Sequence, residues 1–176
     1  RMESMIAADQ HAEILSFESF RKTVLQDYRT AMTSRQVSLM GRREVLTGKA
    51  KFGIFGDGKE LPQVALAKFF QPGDWRSGYY RDQTWMFALG MANAEQFFSQ
   101  LYADPDIEND RWSGGRQMNA HFTSKNVDQS GQWFPLVKQY NTATDMAPTA
   151  AQVPRSLGLA LASKNIKKMN AEVSID

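Results

Sequence analysis

Two imidazoles, His11 and His121, and no thiol are available for chemistry in this chain of 176 residues. Without cysteine, disulfides, thiolate metal sites and cysteine nucleophiles are excluded. The histidines show no HxxxH or HExxH spacing, so a zinc centre built from protein groups alone is not expected. A Ser-His-Asp triad would have to recruit His121, yet the sequence has no GxSxG elbow. Neither GxxxxGK[ST] nor GxGxxG occurs. Arg35, Arg42, Arg43 and Lys49 gather cations near the end of a candidate helix, either as solvated surface or facing an anion. Gly56-Asp57-Gly58 sets one carboxylate between two glycines and reads as a turn.

The background to these residues is ordinary. Hydrophobic residues make up 42% and charged residues 23%, which excludes global disorder. Twenty-one basic residues against 19 acidic ones leave a net charge of +2 and no Lys/Arg run, so no nucleic-acid partner is expected. No apolar run approaches a membrane span, and the start, Arg1-Met2-Glu3-Ser4-Met5, has no apolar signal core. A first residue other than Met reads as a processed chain or a fragment.

Residues 1–15 lack a period and read as a loosely held arm. Ser16 is placed to cap a helix from Phe17. Phe17, Phe20, Val24 and Tyr28 recur every three or four residues, continuing through Ala31, Arg35 and Leu39 to Val45 and Leu46. The spacing predicts an amphipathic helix with that face in the core, weakest at Gly41 and stopped by Gly48. Residues 51–60 read as loop, and Pro62 fits the first turn of a helix through Phe69. Gly78 to Arg81 read as a brief strand or extended loop. Residues 84–102 predict one helix packed by Met86, Leu89, Phe97 and Leu101. Residues 103–131 predict a long surface loop. An apolar run, Trp133 to Tyr140, precedes Asn141-Thr142-Ala143-Thr144. A last helix begins at Pro148 or Thr149 and presents Val153, Leu157, Leu161 and Ile166 as its apolar face. Val173 to Ile175 read as the start of a strand.

Three segments resemble, in order, the alpha part of the decarboxylating first component of 2-oxoacid dehydrogenase complexes. YYRDQTWMFALG at 79–90 is similar to that family's Tyr-Arg-acid loop and following helix. GGRQMNAH at 114–121 is similar to the Gly-Arg-Gln-Met-x-x-His stretch of branched-chain members. APTAAQVPRSLGLALASK at 147–164 is similar to their Pro-x-x-x-Gln-x-Pro run that ends in x-Ala-x-Ala-x-Lys. The resemblance covers roughly residues 15–165. It implies an α/β thiamine-diphosphate-binding fold, with this N-terminal piece mostly helical and holding few short strands. On that reading residues 16–176 are an incomplete N-terminal part of such a domain.

The resemblance also implies roles. Tyr80 and Arg81 match the pair that binds the cofactor diphosphate, a task that suits the planar fork of Arg. His121 matches the catalytic His beside the reaction centre. Ala147 and Thr149 match the cofactor-binding segment near the pyrimidine ring. Where branched-chain members hold potassium with Ser and Thr, this chain has Met146, Ala147 and Ala151, and only Gln152 is retained. The stretch 122–141 is longer than theirs. Gly56-Asp57-Gly58 spells the start of the family's magnesium motif, but only Asn93 is a loose match for its Asn, and a strand-then-helix setting is lacking. No metal ligand is expected in this chain, and the Mg2+ ligands are expected beyond it. The implied activity is decarboxylation of a 2-oxo acid with thiamine diphosphate and passage of the acyl group to a lipoyl carrier. The implied partners are a beta-type subunit or the remainder of a fused chain, a lipoyl-bearing acyltransferase, a small-molecule 2-oxo acid and further copies in a homo-oligomer. The implied setting is the cytoplasm, without a membrane. Two other readings stay open: a non-catalytic helical interaction module, and a transketolase-like thiamine-diphosphate enzyme.

Overall fold

Ser16 accepts the Ser19 N–H at 3.2 Å and opens helix α1, Phe17–Leu46. The structure, a computed structural model, describes residues 16–168; the expectations for 1–15 and for Val173 to Ile175 lie outside them. Gly41 does not interrupt α1, and its missing Cβ leaves room for the Phe55 ring. The helix ends as the spacing predicts, with the Thr47 N–H on the Arg43 carbonyl at 2.9 Å and Gly48 at φ +76°.

Most of the predicted face of α1 lies outside the core, although Ala31 is buried and Val45 packs against the core. Phe17 is 73% exposed, and Phe20, Val24, Tyr28 and Leu39 are exposed as well. The buried stripe is Ala31, Ser34, Val37, Ser38 and Gly41. These small side chains let neighbouring backbone come close, so the contact is made there. The aromatics lie mostly on the first turns, which reach past the core.

Helix α2, Glu60–Ala67, starts two residues before Pro62 and buries Glu60, Gln63, Val64 and Ala67. Strand β1, Trp75–Tyr79, lies earlier than expected and leaves Tyr80 and Arg81 in the turn that follows it. The single helix expected over 84–102 is two: α3, Gln83–Ala88, and α4, Ala94–Leu101. Gly90 turns back at φ +67°, and Asn93 then caps α4 in a reciprocal box with Gln96. The apolar period runs across this break and hides it.

The expected surface loop 103–131 is partly core: Asp110, Ser113, Asn119, Ala120, His121 and Phe122 are buried. Polar side chains stand in for secondary structure there. The Asp110 carboxylate accepts the Trp112, Ser113 and Gly115 N–H groups and the Ser113 hydroxyl. After a 3₁₀ turn at Leu136–Lys138, strand β2, Asn141–Met146, pairs in parallel with β1, Trp75 opposite Asn141 and Tyr79 opposite Met146. Helix α5, Gln152–Lys168, packs on β1 and leaves Val153, Leu157 and Leu161 exposed rather than buried. The core beside the sheet joins Val37, Phe55, Met86, Phe97, Leu101 and Phe122.

Candidate functional site

The carboxyl ends of β1 and β2 lie side by side, which is where open α/β sheets place their ligands. Tyr80 and Arg81 leave β1 there, and Ala147, Pro148 and Thr149 leave β2. The Tyr79 hydroxyl donates to the Tyr80 hydroxyl at 2.5 Å, and the Thr149 hydroxyl lies 3.2 Å from Tyr79. Thr149, then Tyr80 and the nearby Arg81, pull the Tyr79 phenol below its ordinary value. The Gln152 amide donates to the Met146 carbonyl at 2.9 Å and straps the turn that carries Ala147. Ala150 beside Thr149 holds a left-handed backbone, φ +67°.

Arg81 stretches across the Tyr80 ring, its guanidinium carbon 5.4 Å from the ring centroid. Its guanidinium donates to the Phe55 carbonyl at 3.3 Å and also reaches toward the Tyr79 hydroxyl, and among the described residues it has no ion pair. The adjacent acid, Asp82, turns instead to Arg76. Most of the Arg81 donors are therefore free for an anion. The backbone beneath is fixed: the Gln63 amide donates to the Arg81 carbonyl at 2.9 Å, and a Cβ on Gly56 would meet that carbonyl at 2.5 Å.

His121 arrives from the buried loop with its ring 18° from the Tyr80 plane and 6.4 Å from its centroid. Its backbone is gripped on both sides by the Gln100 amide, which donates to the His121 carbonyl at 2.6 Å and accepts its N–H at 3.3 Å. The ring Nδ1 is 3.1 Å from the Asn119 carbonyl. A carbonyl only accepts, so Nδ1 carries the proton and the neutral ring keeps its lone pair on Nε2. The Asn119 amide is itself bound to both backbone groups of Ile54. Ala120 completes the support at φ +57° and is fully buried. A cleft of about 220 Å³ borders His121 and is lined also by Ser113, Arg116, Gln117 and Thr144. A larger cleft, about 630 Å³, runs past Trp112, Lys125 and Tyr140 and touches none of the predicted residues.

Tyr80, Arg81, His121, Ala147 and Thr149 thus share one end of the sheet. Sequence reasoning missed Tyr79, which joins Tyr80 to Thr149, and Asn119, which sets the His121 tautomer. An Asn two residues before the His was the available signal. It also missed the charge cluster under the strands. Arg76, 3% exposed, holds Asp145 at 2.9 Å and Asp82 at 3.2 Å and donates to the Thr142 hydroxyl at 2.7 Å. Burial outweighs the attraction of Arg76 and pushes the Asp145 carboxyl up to about 6.

Three of the four cations gathered near the end of α1 have partners. Arg35 binds Glu60 through two bonds of 2.5 and 2.8 Å, and Arg42 binds Asp57 at 2.6 Å. Lys49 lies 3.7 Å from Glu44. Gly56-Asp57-Gly58 is a turn closed by the Lys59 N–H on the Gly56 carbonyl at 3.2 Å, with Asp57 held by Arg42. Among the described residues no group of three or more His, Asp or Glu is placed to hold a metal ion, and no helix is long and apolar enough to cross a membrane.

Residues 28–175 match the family described as dehydrogenase E1 component. The chain is also 33% identical, over 148 residues, to the 2-oxoisovalerate dehydrogenase subunit alpha of Bacillus subtilis (strain 168). That match covers 80% of this chain and 38% of the relative, so the chain spans well under half of that protein's length.

Proposed function

The chain belongs to the dehydrogenase E1 component family, and from that premise we propose that it is the alpha-type, diphosphate-anchoring part of a 2-oxo acid dehydrogenase that works with thiamine diphosphate and Mg2+. One observation carries the reading. Arg81 offers a guanidinium with no ion pair among the described residues, lying over the Tyr80 ring at the carboxyl end of two parallel strands. Such a donor set fits a diphosphate. When bound, the cofactor supplies the electron sink for loss of CO2.

The chain's own residues have simpler duties. Arg81 neutralises and orients the diphosphate, and Tyr80, whose oxygen already accepts from Tyr79, has its proton left to donate. Ala147 and Thr149 line the adjoining turn. His121 borders the cleft, and with the proton on Nδ1 its Nε2 is the nitrogen left to accept, or to donate to the 2-oxo acid carboxylate once protonated. Arg116 and Gln117 border the same cleft and suit a carboxylate substrate. Mg2+ falls to ligands outside this chain.

The chain would work with a beta-type subunit or the remainder of a fused chain, within a homo-oligomer in the cytoplasm. It would pass the acyl group to a lipoyl-bearing acyltransferase and would be inactive in isolation. The exposed apolar faces of α1 and α5 support such burial against further chain.

The test is a calorimetric titration of the full-length protein with thiamine diphosphate and Mg2+. Arg81→Ala is expected to raise the dissociation constant at least about tenfold, since charged hydrogen bonds contribute about 1.5–3 kcal/mol. Unchanged affinity removes the assignment. No response in the unmutated protein leaves the interaction module, and sugar-phosphate transfer in place of CO2 release leaves the transketolase-like enzyme.

A further inference from the structure

We propose that Arg76 is a positioning residue for this site, a buried tie that fixes the Tyr80–Arg81 turn and the His121 loop relative to one another. The inference rests on the roles proposed above for those two segments. Arg76 does not hydrogen-bond Tyr80, Arg81 or His121; it acts through the backbone that carries them.

One end of the tie is Asp82. Its Oδ2 accepts the Tyr79 N–H at 2.9 Å and Arg76 Nη2 at 3.2 Å. Asp82 precedes α3 but makes no side-chain cap to it, so its carboxylate serves the turn and Arg76 instead. The other end is Asp145, whose Oδ1 lies 2.9 Å from the same Nη2. Asp145 Oδ2 accepts the Phe122 N–H at 2.9 Å, and the Asp145 N–H donates to the Phe122 carbonyl at 3.0 Å. Phe122 is therefore clamped on both sides, one residue after His121. A third branch runs from Arg76 Nη1 to the Thr142 hydroxyl. Thr142 in turn exchanges hydrogen bonds with Ser124, its N–H reaching the Ser124 hydroxyl at 2.7 Å and its carbonyl accepting the Ser124 N–H at 2.9 Å. The fork spreads these contacts over two nitrogens, Nη1 on Thr142 and Nη2 on the two carboxylates, whereas an ammonium group is a single point of charge. Gly78 leaves the room, since a Cβ there would collide with both the guanidinium and the Asp145 carboxylate.

The test compares Arg76→Lys with the unmutated full-length protein. Amide hydrogen exchange at Tyr79 and Phe122 should rise together, at least about tenfold, while the Leu101 amide in α4 stays protected. A uniform rise over all three means general destabilisation and overturns the proposal. In the second arm, kcat/KM should fall at least about tenfold on Arg76→Lys alone but less than about threefold when His121→Gln is already present. Effects that simply multiply overturn it. Coupled loosening of Tyr79 and Phe122 with unchanged thiamine diphosphate affinity supports the tie and overturns the diphosphate reading instead. If Arg76→Lys does not fold, Asp82→Asn cuts the tie at its more exposed end, the Asp82 side chain being 24% accessible. A rise in exchange that reaches Phe122 supports the proposal, and one confined to Tyr79 overturns it.

Discussion

The rings of Tyr80 and His121 lie 18° from parallel with centroids 6.4 Å apart, although one follows β1 and the other sits in a loop between α4 and β2. Strand register brings Tyr79 beside Met146, and the Gln100, Asn119 and Asp145 side chains hold the loop, Asn119 through the Ile54 backbone. The aromatic contact is thus set by backbone anchors on both sides rather than by the rings themselves.

That independence makes Tyr80→Phe a clean probe. The ring contacts with Tyr79, Arg81 and His121 remain, and one hydroxyl is lost. A hydroxyl bond to an ionised phosphate oxygen is worth about 1.5 kcal/mol or more, so thiamine diphosphate affinity should fall about tenfold. Calorimetry beside Arg81→Ala checks the order, with the charged donor expected to matter more.

His121→Gln tests the loop from the other side. Gln100 grips the backbone of His121, not its ring, so the substitution should leave the fold intact and the melting temperature within a few degrees. Activity should fall about a hundredfold or more if the imidazole serves proton transfer or substrate polarisation. Steady-state kinetics on the full-length protein decides; retained kcat with a normal melt would reduce His121 to a buried loop residue.

The sequence shows helices where period and caps agree: Ser16 opens α1 and Gly48 stops it. It misled where small and polar residues do the packing. Ser34, Ser38 and Gln83 meet in a buried hydrogen-bonded contact that no apolar period announces. β2 reads Asn-Thr-Ala-Thr-Asp-Met and carries its buried positions as polar residues, so a strand was invisible there. The five candidate residues were legible only as a family pattern. Their supports, Arg76, Asn119 and Asp145, depend on partners distant in sequence.

Two carboxylates give the stability opposite slopes with pH. Hydrogen bonds and charge from Arg35 hold the Glu60 carboxyl down to about 2 from 4.5. Its contribution is complete above pH 4.5 and is lost as pH falls toward 2. Arg35 is half exposed, so the effect is discounted for solvent to on the order of 2 kcal/mol. Asp145 is pushed by burial up to about 6 from 3.8. Its folded state keeps a proton that the unfolded state gives up, so stability falls as pH rises from 3.8 to 6, by on the order of 2–3 kcal/mol. Urea titrations should place the maximum where the two windows overlap, between pH 3.8 and 4.5. Glu60→Gln should remove the acid-side slope, and Asp145→Asn the slope between 3.8 and 6.

Gly78→Ala tests the packing beneath the strands. Gly78 is buried in β1, on the same face as Arg76, and a methyl there meets the guanidinium and the Asp145 carboxylate. Neither can retreat cheaply. Moving Arg76 breaks its contacts with Asp82 and Thr142, and moving Asp145 releases the Phe122 N–H. Overpacking and a disturbed buried pair should together cost at least about 2–3 kcal/mol. Ser77→Ala is the control on the opposite face, losing one hydrogen bond to the Gln152 carbonyl at 3.1 Å, worth about 1 kcal/mol. In urea the midpoint of Gly78→Ala should drop well below that of Ser77→Ala at an unchanged m-value. Equal midpoints would mean that the space over Gly78 opens without breaking the charge cluster, and that the cluster is looser than its distances imply.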